Sequence, residues 1–384
     1  MPVEMRQVVS KKEKRIFLNF PWRIYKNDPL WVPPLLSERE KTIDPERGLF
    51  FKDGTAECFI AFYDGKPVGT LCLAEEFNNT RAKGYKECMY GFVECVDDYR
   101  VFEVMFDFAT DWAEGREMKS LYGPFNLDRE ENRGLLIDGR DRPPPILCGH
   151  QPPYYQVFFE RYGLEKNGED GLAYAVDLDP SSPKIQRLYR LAERVRQRHP
   201  EFTVRSANLG DMDNEIERIV DLQNRALKHF PDYVPYTRNS IESMILPLLD
   251  VIDLDLVLFA EVMGQPAGFF PGVPNFNELL IKLNGLRYPW DYLRYLLQRN
   301  LKPECLAIKS VVVPPEYWDT GVAVLLFDKM VRRAIDKGYT WADLSLTGDE
   351  NPDTWPLAHH MGAQIYKRYR FYKKQLSPTP DISQ

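Results

Sequence analysis

The chain has 384 residues, more than one hydrophobic core usually serves, so two domains are the starting expectation. With 44% hydrophobic and 28% charged residues it is ordinary globular material, which excludes a largely disordered chain, and a net charge of −7 disfavours general nucleic-acid binding. The six cysteines (58, 72, 88, 95, 148 and 305) have neither Cys-x-x-Cys spacing nor nearby histidines, which argues against structural metal and a disulfide framework and fits a reducing cytoplasm.

The first residues, MPVEMRQVVSKKEKR, lack the apolar centre of a signal peptide, and Lys11–Arg15 has the character of a solvated terminus. Residues 1 to 50 are rich in Pro and Trp, as in Phe20-Pro21-Trp22 and Asp28-Pro29-Leu30-Trp31, which suits an extended surface wrap. A strand, a tight turn at Asp64-Gly65-Lys66-Pro67-Val68-Gly69 and a second strand follow, then a strand near 87–95. Val101, Val104, Met105, Phe108 and Trp112 fall at helical spacing, with Gly115 at the stop. Next come a strand near Ser120, a polar, Pro-rich loop over 124–153, a short helix ending at Gly163 and a strand over 171–178. In that loop Pro143-Pro144-Pro145 reads as a stiff connection, and the polar run from Asp128 to Gly134 lacks the spacing of a calcium loop.

Pro180-Ser181-Ser182-Pro183 breaks the pattern before a linking helix that stops at His199-Pro200. These signals set the expected organisation: a first domain over 1–178, a linker over 179–200, a second domain over 201–376 and a disordered tail over 377–384. The second half has a helix over 213–230, a second hairpin at Met263-Gly264-Gln265-Pro266-Ala267-Gly268, a helical insertion around 288–300 and a strand over 306–313. The most hydrophobic window, 245–262, is broken by Asp250, Asp253 and Asp255, so no membrane span is expected. A strand over 341–346, a short helix before Gly362 and a terminal strand close the half. In the last strand, Lys367 to Lys374 mixes cations with aromatics, and the expectation is packed rings with cations facing water or a phosphate-bearing ligand.

The two halves echo one another. Gly65 to Gly163 spans 98 residues, and so does Gly264 to Gly362, with the same order of elements between. Mixed αβ order in both halves gives an α/β (α+β mixed sheet) fold, twice over.

The chemistry concentrates between Ile308 and Leu326. A β-branched strand through Val311, Val312 and Val313 enters a loop, and Gly321 and Ala323 open an amphipathic helix. Unpaired N–H groups at such a helix start form a cradle for a pyrophosphate; the alternative is an ordinary turn with Thr320 as N-cap. The corresponding loop in the first half, Cys95 to Arg100, has no glycine and two carboxylates, Asp97 and Asp98, which cap helices but repel phosphate.

Over most of its length the chain resembles the GNAT acyltransferase superfamily, as two such folds in tandem. The family's phosphate loop, Arg/Gln-x-x-Gly-x-Gly/Ala, matches here at Gly321 and Ala323, while Trp318 stands at the polar position and Asp319 follows it. The resemblance implies acetyl-CoA or another acyl-CoA as co-substrate, held by Val311, Val312, Val313, Trp318, Asp319, Thr320, Gly321, Val322, Ala323 and Asn351. An amine of a small-molecule acceptor attacks the thioester, with a backbone N–H near Val312 or Val313 on the oxyanion. Where a tyrosine often protonates the leaving thiolate the chain has Ala358. Asp343, Glu261, His359 and His360 are the candidate bases, and Tyr122, Asn126, Tyr154 and Tyr155 the candidate acceptor pocket. Two rival readings remain: a non-catalytic scaffold, favoured by Trp318, Asp319 and Ala358, and a tandem transferase that takes an aminoacyl group from tRNA, disfavoured by the acidic charge. Acceptor, acyl length and oligomeric state are not legible.

Overall fold

The computed structural model describes residues 2–127, 134–229, 233–246, 249, 252–298, 301–308, 311–348 and 362–376. Asp128 to Arg133, Asn351, His359, His360 and the tail 377–384 lie outside the described residues. Two compact units emerge. Unit one comprises Met1–Asp170, Asn277–Asn300 and Arg368–Gln384, and unit two Gly171–Phe276 and Leu301–Lys367.

Unit one begins with β1 (Glu4–Gln7), α1 (Lys11–Asn19), α2 (Pro21–Ile24) and α3 (Leu36–Thr42). The Pro- and Trp-rich opening is therefore not an extended wrap: Ser10 and Glu13 close a capping box on α1, and Phe17, Phe20, Tyr25 and Ile43 are buried. Then come β2 (Gly54–Tyr63), β3 (Lys66–Glu76), α4 (Phe77–Lys83), β4 (Cys88–Cys95), α5 (Tyr99–Glu114), β5 (Ser120–Gly123), β6 (Leu135–Asp138), α6 (Pro153–Arg161) and β7 (Glu165–Lys166). Unit two opens with β8 (Gly171–Asp177), α7 (Pro183–Arg198), β9 (Phe202–Ser206), α8 (Met212–Leu227), α9 (Arg238–Ile245), β10 (Val257–Val262) and β11 (Gln265–Pro274). The chain returns to unit one for α10 (Asn277–Leu280) and α11 (Pro289–Gln298). It finishes with β12 (Cys305–Ile308), α12 (Val322–Asp336), β13 (Trp341–Gly348), β14 (Gln364–Arg370) and β15 (Tyr372–Gln375).

The sheet of unit one runs β1-β2-β3-β4-β5-β15-β7, and that of unit two includes the order β14-β8-β13-β12-β11-β10-β9. Among the described residues each has a parallel pair at its heart, β4 with β5 and β12 with β13. The units differ from a cut at residue 178 because strands cross sequence halves. β8 pairs with β13 from Trp341↔Asp177 onward, and β15, from the chain's end, pairs with β5 from Tyr372↔Gly123 onward.

Both predicted hairpins form, and their details coincide. Asp64 and Gly65 have positive φ (48° and 70°), as do Met263 and Gly264 (51° and 78°), the left-handed pair that a two-residue hairpin turn requires. The register then slips by one residue at Ala61/Phe62 and again at Ala260/Glu261, opposite Pro67 and Pro266. Beyond the slip Gly69 faces Met105 of α5, and Gly268 faces Leu326 of α12; a Cβ would fall 2.3 Å and 2.9 Å from those side chains. In both units the missing side chain lets a helix lie close on the sheet.

Helix α5 buries Val101, Phe102, Met105, Phe106, Ala109 and Ala113, with Phe108 and Trp112 at the margin of that stripe. Phe102 and Phe106 stack at 4.4 Å and meet Phe159 of α6, and each such buried ring contributes about 1.5–3 kcal/mol. Helix α12 buries Val322, Leu325, Leu326, Phe327, Met330, Val331 and Ala334.

Three of the terminal cations, Lys367, Arg370 and Lys373, are turned inward. Lys367 is fully buried, Arg370 pairs with buried Asp170 at 2.8 Å, and Lys373 reaches buried Glu87 at 2.7 Å. Glu87 also accepts from Lys83 and Ser120, both at 2.8 Å. Burial alone would raise this carboxyl, but hydrogen bonds from Lys373 and Lys83 outweigh it and hold the pKa at about 2, against an ordinary 4.5. The ionised form therefore stabilises the fold above pH 4.5, and that contribution is lost as pH falls toward 2. Glu87→Gln is expected to cost roughly 2–3 kcal/mol at pH 7, and its stability gap from wild type should close on acidification through that window; urea unfolding over a pH series measures both.

Candidate active site

The loop between Val313 and α12 is tightly folded. Val312 N–H donates to Phe269 O of β11 at 2.9 Å, and Phe269 N–H returns a bond to Val312 O at 2.8 Å. The indole N–H of Trp318 donates to Val313 O at 2.9 Å, and its ring, 41% exposed, meets His229 edge-on. Thr320 Oγ1 donates to Tyr317 O at 2.6 Å and lies 3.5 Å from Val322 N, so the hydroxyl is turned mainly toward the loop. Gly321, with φ 97°, is the N-cap residue and has no side chain to cap the helix, so the long Thr320 contact to Val322 N–H is the side-chain contact at this helix start among the described residues. The first-turn amides of Val322, Ala323 and Val324 thus form an uncapped positive helix end, with Asp319 beside it at φ 58°.

Gly321 has a packing reason to be glycine as well. A Cβ there would lie 2.7 Å from Val195 Cγ2 of α7, and α7 is further tied to α12 by an Arg196–Asp328 ion pair and by Arg332 over the Tyr189 ring.

Asp343 sits fully buried on β13, opposite Ala307 of β12. Ser345 Oγ donates to its Oδ2 at 2.5 Å and Tyr366 OH to its Oδ1 at 2.7 Å. Glu261 is placed differently. At the turn end of β10 it accepts from Arg205 Nε at 2.6 Å, and the same guanidinium holds Glu215 at 2.7 Å, so its carboxylate is tied into a structural ion-pair network.

In unit one, Asp98 caps α5 by accepting from Arg100 N at 3.0 Å and is gripped by the same residue's guanidinium at 2.7 Å and 3.0 Å. The Arg100 hydrogen bond holds its carboxyl below the usual range. β4 and β5 pair only at Cys88↔Leu121 and Met89↔Tyr122 before parting. The chain itself closes the gap: Phe125 N donates to Tyr90 O at 2.7 Å, and Asn126 Oδ1 accepts from Phe92 N at 2.6 Å. Gly91 makes this approach possible, since a Cβ there would fall 1.7 Å from Phe125 O.

Of the four pocket candidates, Asn126, Tyr154 and Tyr155 converge on the end of β4, whereas Tyr122 stacks on Phe371 at 5.3 Å. Beside them lies Glu94, which the sequence did not single out, bonded by Tyr155 and Tyr25. Tyr155 OH donates to Glu94 at 2.8 Å and accepts from Cys95 N at 2.8 Å, Tyr25 OH reaches the other carboxyl oxygen at 3.5 Å, and Tyr154 OH donates to Cys95 O at 2.7 Å. Burial raises this carboxyl to about 7, with the tyrosine hydrogen bonds pulling the other way. Its signal in the sequence was an acid in the apolar strand Phe92-Val93-Glu94-Cys95.

Packing at Gly321 makes a direct prediction. Gly321→Ala is expected to lose about 2–4 kcal/mol from left-handed strain and overlap with Val195, and Val195→Ala in the same chain to restore part of it, so that the two changes are less than additive. Chemical denaturation of the single and double variants checks this; a Gly321→Ala chain within experimental error of wild type would contradict it.

Residues 218–363 match the model of the acetyltransferase (GNAT) family. A protein named bacterial ceramide synthase from Caulobacter vibrioides is 29% identical over 380 residues, covering 96% of each chain. Protein YghO of Escherichia coli is 28% identical over 97% of this chain and 95% of its own. A solved tandem GNAT protein from the clavulanic acid biosynthesis pathway superposes with TM-score 0.59 at 12% identity, covering 98% of this chain and 99% of that one. With its two mixed sheets and a family match spanning β12, α12 and β13, the chain has the fold of a tandem, two-domain GNAT protein.

Proposed function

We propose that the protein is an N-acyltransferase that moves an acyl group from an acyl-CoA to the amine of a long-chain, sphingoid-type base. The observation that carries this reading is the likeness, over nearly the full length of both chains, to a protein named ceramide synthase; the uncapped start of α12 inside the family match supports the co-substrate. The pyrophosphate sits on the amides of Val322, Ala323 and Val324, with Gly321 and Thr320 shaping the approach. Because Val312 N–H is committed to Phe269, the oxyanion role falls to Val313.

The amine attacks the thioester carbonyl, a C–N bond forms and the C–S bond breaks. The thiolate leaves to take up a proton, and the proton lost by the attacking ammonium passes to a base. Asp343, oriented by Ser345 and Tyr366, is the base nearest the β12–β13 pair. A second reading puts the chemistry in unit one, with Glu94 as base, and is favoured by the pKa of about 7, which suits proton abstraction at neutral pH. The chain's own closure of the β4–β5 gap weighs against it.

Amide formation from palmitoyl-CoA and sphinganine, followed by mass spectrometry, tests the function. Asp343→Asn is expected to lower kcat on the order of a hundredfold or more, and Glu94→Gln by less than about fivefold. The reverse pattern, with wild-type activity rising through pH 7, would favour unit one. Absence of amide with long-chain and acetyl donors alike would return the protein to a scaffold role.

A further inference from the structure

Helix α11 has no core side over most of its length. Tyr292, Leu293, Arg294, Tyr295, Leu296 and Leu297 are six consecutive exposed residues, so every face of the helix meets solvent. The side chains are of the wrong kind for that: Leu297 is 77% exposed, Leu293 60% and Trp290 56%. On this amphipathic helix Asp291, Arg294 and Gln298 share one side, and the exposed apolar stripe of Trp290, Leu293, Leu296 and Leu297 is of the kind that is normally covered by protein or lipid. With 10 residues it is too short to span a bilayer.

We propose that α11 is a docking helix that seats the protein on an anionic lipid bilayer. Charge selects this occupant. From Ile281 to Gln298 the cations are Lys282, Arg287 and Arg294, and the one acid, Asp291, is fully buried, bonded to Tyr288 N–H at 3.0 Å and facing Arg294. The segment is thus positive within a chain of charge −7. Leu293, Leu296 and Leu297 supply the apolar payload, and Trp290, Tyr292 and Tyr295 the amphipathic rings that settle at headgroup depth. The helix has a firm base from which to project: Trp22 Nε1 donates to Asn284 Oδ1 at 2.8 Å, and Arg287 lies over the rings of Trp22 and Tyr288. The inference rests on exposure and charge and not on the acyl-transfer chemistry, although a long-chain base would be met at such a surface.

Flotation of the full chain with vesicles separates the outcomes without an activity readout. Wild type is expected to float with phosphatidylcholine vesicles containing phosphatidylglycerol, and about tenfold less with phosphatidylcholine alone. Leu293→Glu with Leu297→Glu should weaken binding more than about tenfold, with an unchanged melting transition because both side chains are already in water. Val157→Glu, a change at another exposed apolar residue of unit one, should float as wild type does. Wild type left in the soluble fraction, or a double variant that floats as well as wild type, would overturn the proposal. So would a wild-type dimer in sedimentation that the double variant turns into a monomer without any flotation, which would assign the face to a second copy of the chain.

Discussion

Each sheet is organised by a parallel strand pair that cannot stay together. β12 matches β13 over Cys305 to Ile308, after which Val312 bonds to Phe269 on the β11 side while β13 goes on with β8 as far as Gly348↔Gly171. β4 and β5 part sooner, β4 keeping β3 up to Cys95↔Gly69 and β5 keeping β15. Among the described residues the strands at the fork keep antiparallel bonds beyond the point where the parallel pairs end.

The two units resolve the same fork differently. Unit one fills it with Phe125 and the Asn126 side chain, and caps the following helix with an aspartate neutralised by its own arginine. Unit two leaves the start of α12 without a side-chain cap. The partial positive charge that Asp98 answers in α5 meets no such carboxylate cap at α12 among the described residues, and the proposed seat for a phosphate-bearing co-substrate in unit two rests on this difference.

Local chemistry was legible in the sequence and long-range pairing was not. The Asp-Gly and Met-Gly turns declared both hairpins because positive φ is a local demand, and the spacing from Val101 to Trp112 announced α5, although the buried stripe is centred on Phe102, Met105 and Phe106. Proline content misled at the N-terminus, where Ser10 and Glu13 cap a helix between the breakers. The terminal lysines and arginines looked solvated because their partners, Glu87 and Asp170, stand some two hundred or more residues earlier. Glycines at 69 and 268 showed their turns but hid their second use, the close seating of a helix on a sheet. Of the candidate site, Gly321 and Ala323 were singled out by their motif, and they stand at the start of α12; Glu94 was passed over because a lone acid in a strand carries no spacing, and only the fold brings Tyr25 and Tyr155 to it.

Calorimetric titration of CoA into wild type and Ala323→Glu tests the central claim most directly. A carboxylate in the first turn of α12 complements the helix dipole and should leave the melting transition unchanged or slightly raised, yet it repels a pyrophosphate at the same amides. The account predicts saturable binding by wild type and at least about a tenfold loss of affinity in the variant. Equal affinity in both proteins would contradict it and move the co-substrate away from α12.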